Sequence, residues 1–239
     1  MAHEFDHNKV LKKIALHRLT PHGIIQQGTS RTFLYDKGWW TIIIEFQPSS
    51  YSKGSYLNIG LDFNFYPRSY FAFTYGSREN SFQEATDEKQ FSQIINHQCD
   101  FIITRVKELQ LKCRDIWAAT ATFKKQFRKD PWDKFDLGVL YGLTGQHGKS
   151  KSLLEQLINE KCQHEYEFAR QQLAIQILSW FENSEVFPLK IKYLINETRQ
   201  LKKLPVADLS DLLNQTKPEL GFQNFVHKQL TKLISIFRK

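Results

Sequence analysis

Along the chain the spacing of hydrophobic and polar positions changes twice. In residues 7 to 18, Val10, Leu11, Ile14 and Leu16 fall on roughly one side of a 3.6-residue period, which predicts an amphipathic helix ending near Pro21 and Gly23. From Gly23 to Gly76 the chain is rich in aromatic and β-branched residues punctuated by turn formers, the pattern of successive antiparallel strands. It predicts a meander of about four: Arg31 to Tyr35, Trp39 to Gln47, Ser55 to Phe65, and Tyr70 to Tyr75. Side chains alternate between the faces of a strand. Trp40, Ile42, Ile44 and Phe46 therefore share one face with Leu57, Ile59, Leu61, Phe63 and Phe65, and that face is core. Asp36-Lys37-Gly38 fits a tight hairpin turn, because glycine supplies the positive φ such a turn requires.

After Ser81 the period becomes helical. Phe91, Ile94, Ile95, Cys99, Ile102, Ile103, Val106, Leu109 and Leu111 recur at steps of three and four, predicting a long helix or a broken pair. Asp130-Pro131-Trp132 marks a new start, since aspartate caps and proline is tolerated in a first turn. Beyond it the pattern is helical throughout, with breaks expected near Gly145 to Gly148, at Phe187-Pro188, at Leu204-Pro205 and at Pro218 to Gly221. The expected class is α+β: a sheet of about four antiparallel strands covered by helices, followed by an all-α bundle. Residues 1–120 are expected to form the first domain and residues 121–239 the helical one, with the boundary near 115 to 131.

Two resemblances attach to these segments. A helix followed by Leu19-Thr-Pro-His-Gly23, then Arg31-Thr-Phe33, Trp40 with Ile42 and Ile44, Gln47, Leu57-Asn58-Ile59-Gly60 and Tyr75-Gly76-Ser-Arg78, resembles an uncharacterised group of bacterial domains of unknown function. It covers about residues 5 to 115, supports the α+β class and transfers no site. Leu137-Gly138-Val-Leu-Tyr141-Gly-Leu-Thr-Gly145, followed by Ser150 and Leu154, resembles one tetratricopeptide helix pair. A shift of 34 residues finds no second copy, so tetratricopeptide-like packing is expected rather than a repeat array.

Charge and composition remove several function classes. Charged residues are 24% of the 239 and the hydrophobic set 41%, which suits a folded chain rather than a disordered one. The longest uncharged apolar run, Trp39 to Ile44, is far short of the ~20 residues that span a bilayer. Met1 to Asp6 lacks the cationic start and apolar core of a secretory signal, and three irregularly spaced cysteines suit a reducing compartment, so a cytoplasmic location is expected. The net charge of +8 is uneven: residues 1–120 hold 14 basic and 12 acidic residues, residues 121–239 hold 19 and 13. The basic excess comes as short groups such as Lys124-Lys125 and Lys202-Lys203 with acids between them, the usual look of a solvated helical face.

Candidate chemistries mostly fail on spacing. Gly142-Leu-Thr-Gly145-Gln-His-Gly148-Lys149-Ser150 resembles a phosphate-binding loop, but the first glycine must stand where Leu143 does, so an interhelical turn is expected. Asp36, Glu45 and Gln47 imitate a metal-dependent nuclease core. Asp36, however, sits at a hairpin tip ~25 to 30 Å from Glu45 at ~3.3 Å per residue, and the required lysine is Gln47. His97-x-Cys99 and Cys162-x-His164 lack zinc-site spacing, and no nucleophile has an evident histidine and acid. No metal, cofactor or catalytic residue is therefore assigned.

What remains is a surface. Thr41, Glu45, Gln47, Tyr56, Asn58, Asp62 and Asn64 make up the second sheet face, with Trp39 and Ile43 among them wanting cover. This is a candidate recognition face, or else a wetted sheet or a seat for the helical half. The expected role is non-catalytic binding of a protein or peptide, through this face or the helical half. A nucleic-acid partner for the basic C-terminal half and an enzyme with a dispersed site are the alternatives.

Overall fold

In the computed structural model, which describes residues 5–49, 52–183 and 186–213, the protein is α+β with an antiparallel sheet. The elements run α1 (His7–Leu19), β1 (Ile25–Gln26), β2 (Thr32–Asp36), β3 (Trp40–Gln47), β4 (Gly54–Phe63), β5 (Tyr75–Arg78) and β6 (Gln83–Glu84). There follow α2 (Glu88–Lys112), α3 (Ile116–Lys125), α4 (Pro131–Leu143), α5 (His147–Ile158), α6 (Glu165–Trp180), α7 (Val186–Leu201) and α8 (Ser210–Leu213). The chain divides into two compact units, residues 1–109 with 189–208, and residues 110–188 with 209–239.

The sheet order is β1-β2-β3-β4-β5, with β6 pairing β4. That makes six strands among the described residues rather than about four. Tyr70 to Tyr75 is a loop, and the strand that closes the sheet is Tyr75–Arg78. The aromatic spacing of the loop imitates a strand, but it serves packing: the Phe73 ring lies on Gly60, where a Cβ would stand 2.0 Å from it. Gly76, opposite Gly60, has φ +140° and would drive a Cβ into the Gly60 backbone, so this cross-strand pair must be glycine. At the β2–β3 hairpin Gly38 takes φ +81° and its N–H donates to Asp36 Oδ1 at 3.0 Å, as the turn pattern predicts.

The alternation sets the core. Trp40, Ile42, Ile44, Phe46, Leu57, Ile59, Leu61, Phe63 and Phe65 are all buried. Two helices supply the solvent-free apolar stripes such a face requires: Leu11, Ala15 and Leu19 on α1, and Phe91, Ile95, Cys99, Ile102, Val106 and Leu109 on α2. Arg18 ties the two helices by donating to Asn96 at 2.9 Å and pairing with Asp100. The buried stripe of α1 is Leu11, Ala15 and Leu19, at strict four-residue steps; Val10 and Ile14 are only half-buried and Leu16 is exposed, so the predicted face is rotated.

In the helical unit Asp130 caps α4 through its bond from Asp133 N at 2.9 Å, with Pro131 in the first turn. The α4–α5 hairpin turns at Thr144 to Gln146, with Gly145 at φ +70°. Gly138 faces Leu154, and buried Ser150 donates its Oγ–H to Gly138 O at 2.6 Å. Gly142 is hemmed in by the stacked rings of Phe181 and Phe187. The phosphate-loop-like string is thus a helix end and a turn, and Lys149 spends its ammonium on Gln146 Oε1 at 2.8 Å. The break expected at Phe187-Pro188 falls just before it, between the end of α6 at Trp180 and the start of α7 at Val186, and Pro188 sits in the first turn of α7, where its missing N–H is tolerated. The expected break at Pro218 to Gly221 lies outside the described residues.

Candidate functional site: the outer sheet face

Register arranges the second face of the sheet in cross-strand rows. Asp36, Thr41 and Asp62 form the first, Leu34, Ile43, Gly60 and Gly76 the second, and Thr32, Glu45, Asn58 and Arg78 the third, beyond which Gln47 pairs with Tyr56. The seven candidate residues therefore divide between the two ends of one face.

Thr41, Asp62 and Asn64 lie under cover, all fully buried. Asp62 accepts from Lys202 Nζ at 2.8 Å and from Ala72 N at 3.1 Å, and pairs with Arg68. Asn64 accepts from the same Lys202 Nζ at 2.8 Å while its amide donates to Gly38 O at 2.7 Å. Beside them Arg199 grips Asp36 with two bonds of 2.6 and 2.7 Å, donates to Gly38 O, and uses its remaining N–H groups on Pro205 O. Its five donors are all engaged, which is what makes a guanidinium tolerable at 2% exposure. The stretch from Arg199 to Pro205 and the loop carrying Arg68 thus seal this end of the face.

The other end stays open. Glu45, Gln47 and Tyr56 are half-buried and Arg78 is exposed. Asn58 organises them: its amide donates to Glu45 Oε2 at 2.9 Å and Gln47 Oε1 at 3.1 Å, and Arg78 Nη2 reaches the same Gln47 oxygen at 2.9 Å. The Arg78 guanidinium lies 4.0 Å over the Tyr56 ring, a cation–π contact that holds it flat. The result is an ordered polar strip offering a carboxylate, an amide, a phenol and a guanidinium. Arg68, Arg78, Arg199 and Lys202 complete the arrangement, and their part in it has no local signal in the sequence.

Over β1 and β2, on the same sheet face and with Asp36 and Lys202 of the sealed end in its lining, lies a cavity of about 940 Å³. Ile25 and Leu34 give it an apolar floor, the Gln27 to Ser30 turn one wall, and Lys203 to Pro205 another.

Among the described residues no group of three or more His, Cys, Asp or Glu side chains could hold a metal ion, and no helix is long and apolar enough to cross a membrane. Asp36 and Glu45 stand opposite Thr41 and Thr32, four residue pairs apart, which is ~13 Å at ~3.3 Å per residue and about half the separation expected, because the hairpin folds Asp36 back alongside Thr41. Burial pushes the Cys99 thiol up to about 12 and raises that of Cys113, so neither yields a thiolate near neutral pH. No family model, curated protein or solved structure matches this chain.

Proposed function

We propose that the protein is a non-catalytic binding module that takes a protein or peptide segment across the open part of its outer sheet face. The observation that carries this reading is the Glu45, Gln47, Asn58, Tyr56 and Arg78 strip, held rigid by its own hydrogen bonds and sharing a sheet face with the cavity over β1 and β2. Pre-ordered aromatic and arginine side chains give up little entropy on binding, which is why they dominate interface energetics. A cleft with an apolar floor on the same face as such a strip accepts an extended chain, while the sealed Asp62 end supplies a stiff support.

The test is selection of a displayed random peptide library on the immobilised full-length protein. Arg78→Glu and Tyr56→Ser are expected to weaken the selected peptides at least tenfold, with exposed Arg78→Glu changing stability by only ~0.5 kcal/mol. Selection of no binder, or binders indifferent to both substitutions, overturns the reading.

A further inference from the structure

The cavity over β1 has a chemistry more specific than the strip on the same face. Three independent features converge there. Its floor is apolar: Ile25, 55% exposed, and Leu34 stand on the same face because they are register partners, while the two charged groups at its inner end are already matched, Asp36 by Arg199 and Lys202 by Asp62. The Gln27 to Ser30 turn closes with Ser30 N donating to Gln27 O at 3.1 Å, and the main-chain N–H groups of Gly28 and Thr29 at its tip find no acceptor among the described residues. Lys203 on the opposite wall has φ +58°.

That last angle is informative. Lys203 closes α7, with Lys203 N donating to Gln200 O at 3.0 Å and Leu204 N to Arg199 O at 2.8 Å. At such a helix end the left-handed residue is usually glycine, because a Cβ is strained there. A lysine bears that strain here, lines the cavity, and has no partner for its ammonium among the described residues. Lys129 takes a similar angle, φ +66°; what sets Lys203 apart is its place in the cavity lining.

An apolar floor, free main-chain donors and an unpaired cation together recognise a carboxylate attached to an apolar group. Among the described residues β1 is also the terminal strand of the sheet, with one edge unpaired in the strand order, and can accept an extended chain alongside it. Resting on the peptide-binding reading above, we propose that this cavity takes the free C-terminus of the bound peptide. Its last side chain, an apolar one, sits on Ile25, Leu34 and Leu204, and its carboxylate lies between Lys203 and the Gly28–Thr29 amides. Peptides that end in a charged side chain, or that continue past the cavity, are excluded by the floor and by the closed turn.

Fluorescence anisotropy on the full-length protein tests this with a labelled hexapeptide ending in leucine, as free acid and as C-terminal amide, and with decanoate as a competitor. The free acid is expected to bind at least tenfold more tightly than the amide. Lys203→Gly should abolish that difference without lowering the melting temperature, since glycine suits the left-handed position. Equal binding of acid and amide that is weakened by Arg78→Glu overturns the C-terminal assignment and leaves the strip reading standing. Full acid preference in Lys203→Gly also overturns it. If neither peptide binds while decanoate alone raises the melting temperature, the occupant is a small amphiphile and both proposals fall.

Discussion

Asp36 shows how one side chain can hold two levels of structure. One of its oxygens accepts from Gly38 N to close the β2–β3 turn, and both accept from Arg199, 163 positions later in the chain. Removing one partner of such a buried pair costs more than the pair contributes, because the remaining charge is left without solvent or counter-ion. Asp36→Ala should therefore destabilise the sheet unit by ~3 to 5 kcal/mol, whereas Asp36→Ala combined with Arg199→Leu should recover part of that loss. Urea unfolding of the two single variants and the double variant reads the coupling directly, and additive effects would mean that the contact carries no interaction energy. In the sequence Asp36 is legible as a turn residue only. A pair separated by 163 positions leaves no periodic trace, so Arg199 and Lys202 read there as ordinary lysine- and arginine-rich helix.

At the scale of elements, regular structure was legible wherever one period persisted. The core faces of β3 and β4, the α2 stripe, the Asp130-Pro131 start of α4 and the turn before α5 follow from alternation, helical spacing and capping chemistry. One segment misled because aromatics have more than one use. Tyr70 to Tyr75 carries strand-like residues, yet Phe73 is spent on filling the space above Gly60. That contact makes a checkable demand. Gly60→Ala places a methyl group where the inner part of the Phe73 ring now sits, and the loop must lift, at ~1 to 3 kcal/mol. The same substitution in a Phe73→Ala background should cost markedly less, and thermal melting of both would show it. If Gly60→Ala is as harmful without the ring, the glycine is needed for its backbone and not for the close approach.

For the whole molecule, the candidate face was legible as a set of polar residues but not as two zones, because burial there depends on segments distant in sequence. The formal charge changes meaning in the same way. Arg199 and Lys202 count toward the basic C-terminal half, yet both are buried against Asp36 and Asp62, and Lys134 pairs with Glu160, so part of the excess is neutralised internally. The sheet unit in consequence includes residues 189–208 as well as 1–109. Without that segment, Asp62 and Asn64 lose the Lys202 ammonium and Asp36 loses its guanidinium, leaving acceptors on a sheet face that has no other cation for Asp36 among the described contacts. Hydrating that row would also bring water to Ile43, buried in the next row of the same face. A fragment of residues 1–120 is therefore expected to retain secondary structure but lack fixed packing, seen as poor dispersion in its amide NMR spectrum and a broad melt. Joining residues 186–213 to it through a flexible linker should restore a dispersed spectrum and a cooperative transition. A 1–120 fragment that melts cooperatively by itself would mean that Arg199 and Lys202 decorate a sheet already stable, and that the outer face is free to open along its whole length.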